Sequence, residues 1–396
     1  MRRSILCLAA FCAAITSNGL RGDWPNFRGP KHDGISTETG FAKSWSGSPK
    51  KLWETPIGAA YSSFACVGNR LYTCTTEKKK QALVCLDATN GKTLWRQPIE
   101  EQWNDSMGDG ARATPTVNDG RVYIMGARGR VVCCDAETGK EIWSASHDKV
   151  PQWGYSGSVL VEGDLAIYSP GAKAGALRAV NKKTGVQVWT CGKDEAGYCT
   201  PYPFEFDGKR YVCGFVGNHA IIADIKSGRE VLSIPWETDW KVNAAAPIFH
   251  EGHLLLSSGY RTGAGLFRLR ADGDKLKSEQ VWKNKNMMNK FQSPVLVDGK
   301  LYVSDEKGLK CVDYMTGDLK WERRRVANGT IIIADGQMIL MTEKGALEIG
   351  PIGPGEFKPA ASAKILGKCW TVPVLHEGRL YARDMETVVC IDLRAK

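Results

Sequence analysis

Residues 113–143 read ATPTVNDGRVYIMGARGRVVCCDAETGKEIW, four short runs of strand-forming residues separated by turn signals. The first run, Thr116-Val117, stops at Asp119-Gly120, and the second, Arg121 to Met125, follows at once. Glycine after Asp or Asn supplies the positive φ that a two-residue hairpin demands. The third run is Arg130 to Cys134. The fourth, Glu141 to Trp143, is set up by the turn Thr138-Gly139-Lys140. Four strands this short make one antiparallel unit that cannot bury its own faces, so it needs neighbours of the same kind.

The rest of the chain supplies them. The turn position recurs at Asn69, Gly120, Gly163, Gly208, Gly252, Gly299, Gly336 and Gly378, at spacings of 37 to 51 residues. Asn69 is the one substitution, and asparagine is the next-best residue for left-handed geometry. Tyrosine falls three residues later at Tyr72, Tyr123, Tyr211, Tyr302 and Tyr381. The end of the unit is marked by glycine followed four residues on by tryptophan, in Gly91 to Trp95, Gly139 to Trp143, Gly185 to Trp189 and Gly317 to Trp321. Gly228 to Leu232 and Trp282 mark weaker copies.

Eight markers at this spacing predict an all-β, eight-bladed β-propeller of four-stranded blades. The last blade begins near Trp370 and has no outer strand of its own, while Lys51–Thr55, with Trp53, offers a spare one at the other end of the chain. A blade without its outer strand leaves an open edge. The ring is therefore expected to close by pairing this N-terminal strand with the C-terminal blade. The seventh blade is degenerate, with Gly350 to Pro359 in place of a tryptophan ending.

Outside the repeats, Arg2 and Arg3 precede an apolar run from Ile5 to Ile15 and the small residues Ser17-Asn18-Gly19. This is the pattern of a secretory signal peptide. The expected division is a signal peptide at 1–19, an N-terminal extension at 20–50 and a single propeller at 51–396, with a periplasmic or secreted product. No other apolar stretch is long enough to span a bilayer, so no integral membrane segment is expected once the signal is removed. The net charge of +10 falls to about +8 without the leader arginines and favours acidic partners. Its two dense runs, Lys78-Lys79-Lys80 and Arg323-Arg324-Arg325, read as solvated surface, and no nucleic-acid-binding signature accompanies them.

With the repeats in register, LDATNGKTLW (Leu86–Trp95), CDAETGKEIW (Cys134–Trp143), VNKKTGVQVW (Val180–Trp189) and VDYMTGDLKW (Val312–Trp321) resemble the tryptophan-docking repeat of the quinoprotein, or PQQ-like, family. The resemblance covers nearly the whole chain after the leader. It implies that Trp53, Trp95, Trp143, Trp189, Trp282 and Trp321 wedge between neighbouring blades. The opening Trp24-Pro25-Asn26-Phe27-Arg28-Gly29-Pro30 with Asp33-Gly34 resembles the start of exported, planctomycete-type PQQ-like propellers similar to the outer-membrane assembly factor BamB.

Cys85, Cys133, Cys311 and Cys390 share one repeat position that Ala179 and Ile222 fill in other blades, which describes a small buried apolar slot. Dehydrogenases of the PQQ family carry a disulfide between adjacent cysteines beneath the cofactor. The pair Cys133-Cys134 reads instead as one residue in the slot and one on the opposite strand face. No CxxC pair has zinc spacing. His250 and His376 stand beside equivalent turns and read as surface residues.

Propellers bind ligands where the segments leading into the innermost strands converge. Here those segments carry Tyr61, Arg112, Tyr155, Tyr198, Asn243, Phe291 and Trp370, with small hydroxyl residues behind them. These seven are the candidate channel-mouth residues. The long insertion from Glu100 to Gly110 brings Trp103, Asn104, Asp105 and Asp109 to the same end, its carboxylates expected to be loop-borne and exposed. Tyrosine, tryptophan and arginine dominate binding hot spots. The first reading is a non-catalytic scaffold of the cell envelope that binds a protein or peptide, with no catalytic residues, cofactor or metal. The alternative that the resemblance implies is a PQQ- and calcium-dependent dehydrogenase. Trp240 with Asn243, or Trp103 with Asp105 or Asp109, could mimic parts of such a centre, but the full set does not assemble. A third reading, a carbohydrate-binding propeller, rests on the aromatic ring alone.

Overall fold

The computed structural model describes residues 22–326 and 328–395, so the signal-peptide segment at 1–19 lies outside the described residues. The chain forms an eight-bladed β-propeller, one four-stranded antiparallel meander per blade. Blade 2 shows the pattern, with Thr116–Asn118 innermost, then Arg121–Met125, Arg130–Asp135 and Glu141–Ser146 outermost. Blade 8 is Val374–His376, Arg379–Arg383 and Thr387–Asp392, completed by Lys50–Pro56 from the other end of the chain. That strand runs antiparallel to Thr387–Asp392, with Lys50 opposite Asp392 and Trp53 opposite Cys390. The ring is thus closed as expected.

The tight turns follow two designs. At Asp119-Gly120, and equally at Glu377-Gly378, both central residues hold positive φ, 47° and 69° in the first case. This geometry matches the twist of the flanking strands. In blades 1 and 3 the left-handed residue is instead the first of the two, Gly68 and Gly163, at 53° and 56°. Asn69 is therefore not the left-handed residue, and Asp164, not Gly163, is the counterpart of Gly120. The marker glycine had shifted by one position within an unchanged two-residue loop.

The tryptophans dock as the repeat implies, and the structure shows onto what. Trp53 Nε1 donates to Ala88 O, Trp95 to Ala136 O, Trp143 to Lys182 O and Trp189 to Ile225 O, at 3.0–3.2 Å. Trp282 donates to Tyr314 O at 3.0 Å and Trp321 to Gly353 O at 3.4 Å. Each acceptor lies in the next blade, just past its third strand. The repeat tyrosine often shares it: Tyr72 and Trp95 both donate to Ala136 O, and Tyr123 and Trp143 to Lys182 O. Two donors on one carbonyl satisfy both lone pairs of a buried acceptor.

The glycine of the next repeat is the seat of the indole. A Cβ on Gly91, Gly139, Gly185, Gly228 or Gly317 would come within 2.4–2.8 Å of the preceding blade's tryptophan ring. Blade 4 carries Leu232 instead of tryptophan, and the turn that follows in blade 5, at Gly273, has nothing within 4 Å of such a Cβ. The slot opposite five of the six indoles takes a small side chain: Cys85 faces Trp95, Cys133 faces Trp143, Ala179 faces Trp189, Cys311 faces Trp321 and Cys390 faces Trp53, while Leu266 faces Trp282. All eleven cysteines among the described residues are buried free thiols. Burial pushes the thiols of Cys85 and Cys311 up to about 11, and those of Cys133 and Cys390 up to about 12.

The segment from Gly22 to Ala42 crosses one end of the channel. Trp24 forms an antiparallel bridge with Cys66 in blade 1, and Pro25 O accepts the Val117 amide of blade 2 at 2.7 Å. Arg28 reaches Pro294 O before blade 6 at 2.6 Å. Ile35–Ser36 pairs parallel with the inner strand of blade 7, Thr330–Ala334, as a fifth strand. Glu38 then accepts both amides of the Glu377-Gly378 turn in blade 8. His376 is not a surface residue. It is 1% exposed, with its ring nitrogens 2.8 Å from Gly22 O and Gly68 O, whereas His250 is exposed as expected. One imidazole ties the crossing segment to blades 8 and 1.

Candidate functional site

The segment from Gly22 to Ala42 closes the channel at the end that carries the turns between inner and second strands. The other end opens as a funnel of about 280 Å³ whose floor includes Phe27 and Arg28. Tyr61, Arg112, Tyr198, Phe291 and Trp370 line it, five of the seven residues expected there. Trp153, Tyr260 and Lys290 also line it and were not singled out from the sequence.

One wall is a continuous stack. The Tyr61 and Trp370 rings lie 5.2 Å apart at 24°, and Phe291 follows 4.9 Å from Trp370. The Arg112 guanidinium caps the other end, 5.7 Å from the Tyr61 centroid, and Lys368 Nζ sits 4.0 Å from the Trp370 ring. Cations over aromatic faces are attracted by the ring quadrupole. Trp370 Nε1 donates to Glu343 at 2.7 Å, which fixes the indole plane. Across the funnel Trp153 packs 6.0 Å from Tyr198, and Lys290 lies 5.3 Å from the Tyr260 ring.

The Glu100–Gly110 insertion is less exposed than expected. Asp105 and Arg112 form a 3.7 Å ion pair with side chains 7% and 8% exposed. Arg112 also donates to Gly108 O and Gly110 O, at 2.8 and 2.6 Å. Burial lowers the guanidinium's pKa against the opposing pull of Asp105. Tyr61 donates to Met107 O, so the loop is fastened to the wall it covers. Glu100 is half-buried and accepts the amides of Arg128 and Arg130, at 2.7 and 3.0 Å.

Two expected residues lie elsewhere. Tyr155 is 2% exposed, and its hydroxyl sits 2.9 and 2.8 Å from Lys149 O and Pro170 O, inside the blade 2–3 core. Asn243 is fully buried. Its amide donates to Val216 O, Gly217 O and Trp236 O, and its oxygen accepts from Ser258. The hydroxyls behind the aromatics largely lace blade to blade. Thr114 N donates to Ser158 Oγ at 3.0 Å, Ser158 N to Thr200 Oγ1 at 2.9 Å, and Thr330 Oγ1 to Thr371 O at 2.9 Å.

The site's chemistry follows from its donor set. Calcium takes six to eight oxygen ligands, carboxylates foremost. Among the described lining residues the charged side chains are Arg28, Arg112 and Lys290, all cations. Asn243 is fully buried and does not line the funnel, and Cys133 and Cys134 are strand residues of the blade core. These residues do not fit a calcium–quinone centre. The lining offers aromatic faces, hydroxyls and positive charge, a surface for binding.

The family profile described as outer membrane protein assembly factor BamB matches residues 79–323. The outer membrane protein assembly factor BamB of Yersinia pestis is 22% identical over 349 residues, covering 86% of this chain and 77% of that protein. A quinoprotein ethanol dehydrogenase of Pseudomonas putida is 29% identical over 157 residues, covering 37% of this chain and 22% of the enzyme. The crystal structure of BamB from Moraxella catarrhalis superimposes with a TM-score of 0.63 at 13% identity, over 88% of this chain and 99% of that one.

Proposed function

This chain belongs to the family of the outer membrane protein assembly factor BamB, and from that premise we propose that it is a non-catalytic scaffold of the cell envelope that binds a segment of a partner protein in its funnel. The observation that carries this reading is the funnel itself, walled by the stack of Arg112, Tyr61, Trp370 and Phe291 and closed below by Phe27 and Arg28. Rigid aromatics contribute large contact area at low entropic cost, which suits capture of a protein segment. The relatives' assembly role, and the export pattern at residues 1–19, agree with a periplasmic or secreted place of work. The stretch similar to the ethanol dehydrogenase is only 22% of that enzyme, and the repeat tryptophans seat on glycines of the neighbouring blade and line no part of the funnel.

The test is capture from envelope extracts by the purified protein, compared with Tyr61→Ala and Trp370→Ala variants. The expected result is a partner retained by the wild type and lost by both variants at unchanged thermal stability. In parallel, the protein supplied with PQQ and Ca²⁺ is expected to show no dye-linked alcohol or sugar oxidation. Turnover, or calcium-dependent quinone binding by calorimetry, would put the dehydrogenase reading first.

A further inference from the structure

Arg28 carries a buried charge at the funnel floor and makes no ion pair within 4 Å among the described residues. The side chain is 4% exposed. Its Nε donates to His32 O at 3.2 Å, and one terminal nitrogen, Nη2, donates to Asp33 O and Pro294 O at 2.8 and 2.6 Å. Carbonyl oxygens take its hydrogens but leave its charge. The nearest carboxylate, Asp33, offsets part of the charge from a distance, but Arg28 bonds its backbone oxygen and not its carboxylate, whose Oδ1 accepts the Ile35 amide at 2.9 Å. Nη1 has no hydrogen-bond partner among the described residues. Arg112 differs, because Asp105 stands behind it at 3.7 Å. The third lining cation, Lys290, lies over Tyr260.

An unpaired buried guanidinium is costly, and an anion with paired oxygens is the partner its fork geometry favours. The space above it is walled by Tyr61, Phe291 and Trp370, so that anion must carry an apolar body. The channel is also blind, since the Gly22–Ala42 segment closes the far end. A polypeptide cannot thread through and can reach the floor only with an end or a side chain. A volume of about 280 Å³ accepts a short terminus. We infer that the funnel receives the free C-terminal carboxylate of a partner polypeptide whose last residue is apolar or aromatic, with the carboxylate on Arg28 and the side chain against the Tyr61–Trp370–Phe291 stack. This inference rests on the funnel-binding reading above and adds the chemical identity of the bound segment.

The test uses the full-length protein after leader removal and a matched pair of peptides, acetyl-Ala-Ala-Phe with a free C-terminus and the same peptide as its C-terminal amide. Binding is followed by calorimetry and by tryptophan fluorescence. The free acid is expected to bind at least about tenfold more tightly than the amide, the gain typical of a charge-assisted hydrogen bond. The small acid 3-phenylpropanoate is expected to bind more weakly than the peptide acid. Arg28→Met is expected to abolish the acid–amide difference. Because Arg28 also staples its own loop, Tyr61→Ala serves as a second variant, expected to weaken the acid and amide alike and to keep the preference. Equal binding of acid and amide to the wild type overturns the inference while the funnel-binding reading stands. Binding of neither peptide overturns the inference too, and leaves envelope capture to decide the scaffold reading. Binding of 3-phenylpropanoate as tight as the peptide acid overturns the assignment to a polypeptide terminus.

Discussion

Two glycines of blade 2 allow the docking of one blade on the next to be measured separately from backbone strain. Gly120 and Gly139 sit in left-handed conformation at φ 69° and 75°. An added Cβ at Gly120 meets nothing within 4 Å, whereas at Gly139 it meets the Trp95 ring at 2.5 Å. An alanine in left-handed geometry costs about 1–2 kcal/mol, and that is the whole expected loss for Gly120→Ala. Gly139→Ala adds the displacement of a packed indole, an overpacking cost of about 1–3 kcal/mol, for a total of about 2–5 kcal/mol. Trp95 also donates to Ala136 O at 3.2 Å, so a displaced ring strains that bond as well. Urea unfolding followed by circular dichroism gives the midpoints, and an unchanged m-value shows that stability alone has moved. The cycle is completed in a Trp95→Ala background, where Gly139→Ala should cost no more than Gly120→Ala, a coupling of at least about 1 kcal/mol. Equal losses for the two glycine variants in the wild type, or an undiminished cost of Gly139→Ala without the indole, would refute the view that the repeat glycine exists to seat the preceding tryptophan.

Other expectations are simpler. Cys85, Cys133, Cys311 and Cys390 should resist alkylation at pH 8 in the native protein and label fully in urea, as read by mass spectrometry, because burial raises their thiols to about 11–12; rapid native labelling would contradict the apolar slot. Asp392, beside Arg394 and opposite Lys50 in the closing strand, is lowered from 3.8 to about 2, chiefly by its hydrogen bond with Arg394. A carboxylate depressed in the folded state stabilises it fully above its unfolded value, and the gain is lost as pH falls toward the folded value. Acid unfolding between pH 4 and about 2 should therefore begin at higher pH in Asp392→Asn than in wild type. His376→Ala should expose the Gly22–Ala42 segment to limited proteolysis while the blades stay intact, since its ring meets Gly22 O and Gly68 O; an unchanged digestion pattern would count against that tie.

The blade count, the closing strand and the six docking tryptophans were legible because each repeats in phase or answers an open edge. The second duty of Gly139 and its equivalents was not, because a turn glycine and an indole-seating glycine look alike until the neighbouring blade is in place. Five funnel residues followed from their position before the innermost strands. Tyr155 and Asn243 hold the same position, but the backbone there turns their side chains into the core, where Pro170 O and Val216 O satisfy them. The channel-closing segment gave no local signal. Its partners, Cys66, Val117, Pro294, Ile333 and Gly378, are spread over more than three hundred residues and meet only around the ring axis. His376 was misread for the same reason, its acceptors being 354 and 308 residues away in sequence.

That wide spread governs how the protein is made. Blade 8 cannot be assembled until its last strand, Thr387–Asp392, has emerged, yet its outer strand, Lys50–Pro56, is synthesised near the beginning. Throughout the interval the first-made residues wait without their pairing partner, and the growing array presents an open edge at each end. Pairings of such large sequence separation form slowly, and unpaired edges invite association with other chains. The final joining brings Lys50–Pro56 onto Thr387–Asp392 and Glu38 onto the Glu377-Gly378 turn. A truncated or stalled chain can seat Trp53 and Trp24 on blade 1 but lacks the pairing of Lys50–Pro56 with Thr387–Asp392 and of Glu38 with the Glu377-Gly378 turn, so quality control needs only to recognise the unclosed circle.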